Sequence, residues 1–250
     1  MDPIGTTVVT FMLILGRVSG MFAVLPIFSW PSIPVRVRAG LVLMVSIVLA
    51  SVLPARPDLA ALEWPALGLL VAREVLTGVA LGLVVALGFA AVRQAGLIVT
   101  QQMGLAAAQE IDPMSGEPSQ QVSMLMEMCF SVFFLASGGH RLMLDLVARS
   151  YEVFPTGETP SAAAMAEAVL DAGLVMLTFA LRLAAPMVAA FLVLAVALAL
   201  LARILPEMNI LLASLPIRVA LGLFMAAAIL PSLGAFSDEL GEWLDRFLMI

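Results

Sequence analysis

Nearly every long apolar run in this chain is interrupted by one or two charged residues. Arg17 lies inside 8–28, Arg73 and Glu74 inside 66–92, Glu127 inside 122–136, and Arg182 inside 169–201. A charge at hydrocarbon depth is costly unless it meets a partner or a wet cavity, so such residues face protein rather than lipid. The chain therefore reads as a subunit of a larger assembly.

The runs themselves decide the class. Hydrophobic residues make up 62% of the 250 and charged residues 12%, with a mean hydropathy of +1.11, whereas soluble domains are about half apolar. This is the composition of an integral membrane protein. One membrane-spanning helix takes about 20 apolar residues, so the runs provide for roughly six. Too little is left for a soluble domain, and residues 1–250 are expected to form a single membrane domain. All 12 basic residues are arginine, which excludes a Schiff-base or phosphate-loop lysine. The net charge of −6 argues against attraction to nucleic acid or anionic lipid. Cys129 is alone and cannot form an intrachain disulfide; between Met128 and Phe130 it reads as a buried structural thiol. The N-terminus is apolar but lacks a basic leader and a cleavage site, and is expected to be a retained first helix.

Along the chain, the first helix is expected at 7–28, ending at Trp30-Pro31-Ser32-Ile33-Pro34, where two prolines remove donors. Arg36 and Arg38 precede a second helix at 39–53, completing a hairpin. The third is expected at 66–92. Gly16 and Gly20 in the first helix, and Gly78 and Gly82 in the third, are spaced one turn apart and mark surfaces for close helix packing, within or between subunits. Gln94, Gln101, Gln102 and Gln109 bring amide groups into 95–109, a segment otherwise helical in pattern, which leads into a loop with Asp-Pro and Ser-Gly turn signals. A helix at 122–136 stops at Gly138-Gly139. In 140–154, Arg141, Asp145 and Arg149 recur every four residues opposite Leu142, Met143, Leu146 and Val147, the pattern of an amphipathic helix with internal ion pairs.

Ser161 is an N-cap candidate for a long helix at 162–205 that Pro186 should kink or divide. A last apolar arm spans 209–233, with Pro216 and Arg218 near its start, and an amphipathic C-terminal helix is expected at 238–250. The fold class is all-α: a polytopic membrane protein of helical hairpins with kinked long helices. The positive-inside rule gives no consistent topology, since Arg36 and Arg38 fall on the opposite side from Arg141 and Arg149. That conflict fits a chain in which some apolar helices do not span a bilayer.

Catalytic chemistry has little to work with. His140 is the single imidazole, placed at a helix boundary, and there is no cluster of metal ligands and no nucleophile with its base. No catalytic, cofactor or metal site is expected. Glu127 sits in an apolar run without an adjacent base, and a hydrogen-bonded or salt-bridged helix contact is the favoured reading. The alternative is an ion-coupled secondary transporter using Glu127 with Arg17 or Arg182, a class that often shows repeated halves; none is visible. Met103, Met114, Met124, Met126 and Met128 cluster around the polar loop, where flexible thioethers suit a surface that reseals around varied shapes.

Seven segments occur in an order that resembles a known family. They are Gly16-Arg17-Val18-Ser19-Gly20, Ser32-Ile33-Pro34-Val35-Arg36-Val37-Arg38, Arg73-Glu74-Val75-Leu76-Thr77-Gly78, Gln102-Met103-Gly104, Asp112-Pro113-Met114-Ser115-Gly116, Gly139-His140, and Ala202-Arg203-Ile204-Leu205-Pro206-Glu207-Met208-Asn209. The chain resembles the flagellar biosynthesis protein FliR family and its virulence-secretion counterparts (SctT) in the type III export apparatus. That resemblance implies a non-enzymatic, pore-forming export-gate subunit of the bacterial inner membrane and flagellar basal body. Its partners would be FliP, FliQ and FlhB, and unfolded flagellar proteins would pass through the gate.

It also implies helical hairpins packed against sister subunits and raised above the membrane plane, which would account for the failed charge rule. A plug loop would map to 102–119, including Gln102, Met103, Gly104, Asp112, Pro113, Met114, Ser115, Gly116, Glu117 and Pro118. Arg36, Arg38, Arg73, Glu74, Arg203 and Glu207 match charged family positions and, with Arg17 and Glu127, would form interhelical or intersubunit pairs. Within the loop, Glu110, Glu117 and Pro118 depart from the family pattern and make it more acidic and stiffer.

Overall fold

A computed structural model of the chain describes residues 3–29, 33–54, 63–104, 121–205 and 210–247. Among these, the regular secondary structure is entirely α-helical. Helix α1 (Pro3–Val24) begins on a proline, whose missing N–H costs nothing in a first turn. It ends earlier than 28 because Pro26 disfavours helix at Leu25; the chain then makes the four-residue helix α2 (Pro26–Ser29). Helix α3 (Val35–Val52) starts directly after Pro34, whose carbonyl accepts from the amides of Val37 and Arg38 at 2.9 and 3.3 Å. Arg36 and Arg38 therefore belong to its first turn instead of preceding it.

The glutamine-bearing stretch does not interrupt the third long helix: α4 (Trp64–Gln102) is continuous over 39 residues. Glutamine is a good helix former, and no proline intervenes. Helices α5 (Gln121–Ala136) and α6 (Gly139–Val153) are separated at Gly138, whose φ of +90° suits glycine. Ser161 Oγ accepts from the Ala164 amide at 3.1 Å and caps α7 (Ala162–Ile204), which runs 43 residues through Pro186. Helix α8 (Ile210–Phe247) runs through Pro216 and Pro231. It absorbs 238–247 as its own last turns, because nothing between Leu233 and Asp238 is a strong breaker; 248–250 lie outside the described residues.

Five of these helices are long and apolar enough to cross a membrane, or six spans if α5 and α6 form one broken span. The protein is a multi-pass membrane protein. At 1.5 Å per residue α4, α7 and α8 are each roughly 60 Å long, about twice a hydrocarbon core.

The chain divides into two compact units. One comprises residues 1–87, 138–173 and 241–250, with α3 packed on α1. Its core holds Leu13, Ile14, Val18, Met21 and Leu25, all fully buried at the spacing of one helix face. The other comprises 88–137 and 174–240 and is built on phenylalanine. Phe89 meets Phe130 and Phe134 with ring centroids 4.9 and 5.3 Å apart, and Phe236 meets Phe130 and Phe179 at 5.3 and 5.0 Å. Such tilted and edge-on pairs are the favoured aromatic geometry.

Candidate functional site

The two glycine pairs flagged in the sequence lie at one crossing. Gly16 and Gly20 on α1 pack on α4 at Val71, Val75 and Val79, and Gly78 and Gly82 on α4 pack on α1 at Arg17 and Met21; at all but Gly16 the approach is too close for a side chain. A Cβ at Gly16 would lie 3.4 Å from the Val71 carbonyl oxygen, and one at Gly82 would lie 2.6 Å from that of Met21. At Gly20 and Gly78 it would run into the carbonyl oxygens of Val75 and Arg17. Small residues at one-turn spacing let helix backbones touch in this way.

That crossing brings together Arg17 and Glu74. Both side chains are fully buried, and Arg17 Nε donates to Glu74 Oε2 at 2.6 Å, a short charge-assisted hydrogen bond. Arg17 Nη1 donates to the Ser150 carbonyl and hydroxyl, each at 3.1 Å, and to the Phe154 carbonyl at 3.0 Å. These acceptors lie at the C-terminal end of α6, where a helix dipole favours a cation. The guanidinium lies over Tyr151, with Cζ 4.0 Å from the ring centroid, and the Tyr151 hydroxyl reaches the Ile14 carbonyl at 3.4 Å. Nη2 makes no hydrogen bond among the described residues.

Glu74 is held from its other side. Its Oε1 accepts from the Gly157 amide at 2.8 Å, in a turn closed by the Glu158 amide on the Pro155 carbonyl at 2.8 Å. Gly157 has φ +87°, a conformation that glycine takes without strain. The pair thus ties α1, α4 and the turn after α6 at one point. Desolvation makes a buried ion pair costly unless its remaining valences are filled, and here backbone groups fill most of them.

Other charges are placed differently. Glu127 is mostly buried at 17% exposure, but its partner Arg93 is 55% exposed and the closest approach is 4.0 Å, the outer edge of an ion pair. Arg182 pairs with Glu239 at 3.6 Å, both well exposed. Neither contact is the Glu127 combination with Arg17 or Arg182 that the transporter alternative required. Arg36, Arg73 and Arg203 are exposed and form no ion pair with another described residue; Arg38 is partly exposed. Glu207 and, of the loop, Asp112, Pro113, Met114, Ser115, Gly116, Glu117 and Pro118 lie outside the described residues.

The start of that loop is described. Gly104 has φ +76° and its amide bonds the Gln101 carbonyl at 3.0 Å, closing α4 with a left-handed glycine. Arg218 Nη1 donates to the Gln102 carbonyl at 3.3 Å, and Met103 is buried.

Residues 8–242 match the profile of the bacterial export proteins, family 1. The chain belongs to that family. It is 34% identical to the flagellar biosynthetic protein FliR of Escherichia coli (strain K12) over 224 residues, covering 90% of this chain and 85% of the relative. Against the flagellar biosynthetic protein FliR of Caulobacter vibrioides the identity is 30% over 239 residues, 94% of each chain. The Yop proteins translocation protein T of Yersinia pestis is 27% identical over 225 residues, covering 88% and 85%. The ordered motifs therefore pointed to the right family.

Sequence reasoning named Arg17 and Glu74 separately and left their partners open. It missed Ser150, which contributes its carbonyl and its hydroxyl, and Phe154 and Gly157, which contribute backbone atoms that carry little sequence signature. It also missed Arg93, which sits among small and apolar residues on α4. The one available signal was Gly157 in a turn-rich break, a hint of a left-handed position.

Proposed function

We propose that this protein is a structural, pore-forming subunit of the flagellar type III export gate in the bacterial inner membrane, at the flagellar basal body. It would assemble there with FliP, FliQ and FlhB to pass unfolded flagellar proteins, and it acts without catalysis. The observation that carries the reading is the family match over 8–242. Higher identity to FliR of E. coli than to the Yersinia translocation protein supports the flagellar branch over the virulence branch.

The geometry adds two supports. Helices about twice as long as a bilayer is thick leave much apolar length that lipid does not have to cover. On α3, Val35, Met44, Ile47 and Val52 are 59–77% exposed, and on α7 Leu170, Leu174, Leu192 and Val193 are 65–70% exposed. Apolar faces of this extent mark interaction surfaces or lipid contact, and sister subunits supply the first. Segment 102–119 is the plug of the closed pore in this reading.

Purification in mild detergent tests the assembly. Co-purification with FliP and FliQ is expected, and a monodisperse monomer that never carries them would overturn the reading. Deletion of 112–118 tests the plug: the complex should still assemble, while vesicles containing it leak small ions. Unchanged permeability would remove the plug assignment and leave the subunit assignment standing.

A further inference from the structure

The C-terminal end of α4 is held by more than a helix end needs. On α8, Leu215, Arg218 and Gly222 stand three and four residues apart and share one face. Each meets a different residue at the end of α4. Arg218 Nη1 reaches the Gln102 carbonyl at 3.3 Å, one of the last-turn carbonyls that lack an intrahelical partner.

Met103, only 1% exposed, lies over Gly222. A Cβ at Gly222 would collide with Met103 Cγ and lie 2.6 Å from its Sδ, so the thioether occupies the space that the glycine leaves open. Gly104 closes the helix with its left-handed φ of +76°, and Leu215 Cδ2 lies 3.7 Å from where its Cβ would be.

A helix C-terminus exposed to water, or closed by its own glycine, needs no cation from another helix. Here Gly104 already supplies the closure, yet Arg218 and Gly222 add a charged and a shape-specific contact one turn apart. From this we infer that the face formed by Leu215, Arg218 and Gly222 is a seat that fixes the point and direction in which the chain leaves α4. Arg218 and Gly222 are its positioning residues.

The inference rests on the reading of 102–119 as the plug and subdivides it. Gln102, Met103 and Gly104 are the anchor, and the residues after them are what the anchor aims. Met103 is then a fixed peg, with its flexibility used to fill the Gly222 notch.

A mobility measurement tests the seat without relying on the plug. In the full-length chain in mild detergent, with Cys129→Ser, a nitroxide on Ala106→Cys reports motion just beyond the anchor. Arg218→Ala and Gly222→Leu should each sharpen its spectrum, and Arg218→Lys should broaden it part of the way back. Met103→Ala added to Gly222→Leu should recover the broad spectrum, since it removes the atoms that clash; general loosening of the fold would not be rescued so. Spectra identical to the parent in both single variants would overturn the seat.

Ion permeability of vesicles holding the assembled complex separates the two claims. Leakage in Arg218→Ala comparable to that of the 112–118 deletion is expected. A leaking deletion beside a tight Arg218→Ala complex would reject the seat as a determinant of the plug, whereas a tight deletion rejects the plug reading and leaves the seat to the nitroxide result.

Discussion

The two compact units hold apolar helices together by different means. In the first, glycines remove the side chains between α1 and α4, and the backbones close on a buried ion pair. In the second, ring edges and faces fill the space between helices, and the charged pairs Arg93–Glu127 and Arg182–Glu239 stay at least partly exposed. Water leaves no hydrophobic drive between helices once they are in lipid, so both units depend on contact quality: close packing and satisfied polar groups. The glycine crossing has no tolerance, because backbone meets backbone. The aromatic contacts of the second unit have some, because side-chain ends meet there, although Gly96 in that unit also packs on backbone, its Cβ position lying 2.5 Å from Ser123 Cα.

The largest effect should come from Gly78→Leu. Its Cβ would run into the Arg17 carbonyl oxygen, and no rotamer change relieves a clash with backbone. The crossing opens, and with it the Arg17–Glu74 contact. Loss of folded protein from detergent extracts is expected, measured by size-exclusion recovery. Wild-type recovery would mean that α1 and α4 do not meet at their glycines.

Arg17→Met comes next. Removing one partner of a fully buried pair leaves the other charge uncompensated, at about 3–5 kcal/mol, and strips the Ser150 and Phe154 carbonyls of their donor. Thermal unfolding in micelles should show a large drop. Adding Glu74→Leu should recover part of it, since an apolar pair can replace an ionic one. The Gly157 amide would then lack its acceptor, so the double variant should stay below wild type. A double variant no better than Arg17→Met would show that the two groups are not coupled.

Much of this contrast was legible in the sequence. Spacing alone marked Gly16, Gly20, Gly78 and Gly82 as packing positions, and the punctured runs marked Arg17, Glu74 and Glu127. The helix count and the family followed from composition and ordered motifs. What could not be read was pairing, because α1 and α4 are joined by 57 residues of separation between Arg17 and Glu74, and no local periodicity encodes which charge meets which. Backbone partners were also hidden: Phe154 accepts through its carbonyl and Gly157 donates through its amide, groups that every residue but proline carries in full. Helix ends were displaced for local reasons, Pro26 shortening α1 and the helix-compatible glutamines extending α4.

Gly88→Ala sharpens the contrast between the units. The added Cβ would meet the two methyls and Cγ of Leu240, at 2.6, 3.1 and 3.5 Å, so a side chain, not a carbonyl, must yield. Leu240 is fully buried and its room is limited. Overpacking of this kind costs about 1–2 kcal/mol, and a modest fall in unfolding temperature is expected. A loss as complete as that of Gly78→Leu would erase the distinction drawn between a backbone crossing and a side-chain one.

The smallest effect should be that of Glu127→Gln. The carboxylate meets Arg93 only at 4.0 Å, and more than half of the Arg93 side chain is exposed, so solvent screens the attraction and the pair is worth less than about 1 kcal/mol. The amide is isosteric, so packing around α5 is unchanged. Unfolding temperature and co-purification with partner subunits should match wild type within error. Proton-coupled uptake by vesicles containing this protein alone, abolished by Glu127→Gln, would contradict the assignment of this residue to helix packing. The same result would restore the transport reading that its position in an apolar run first suggested.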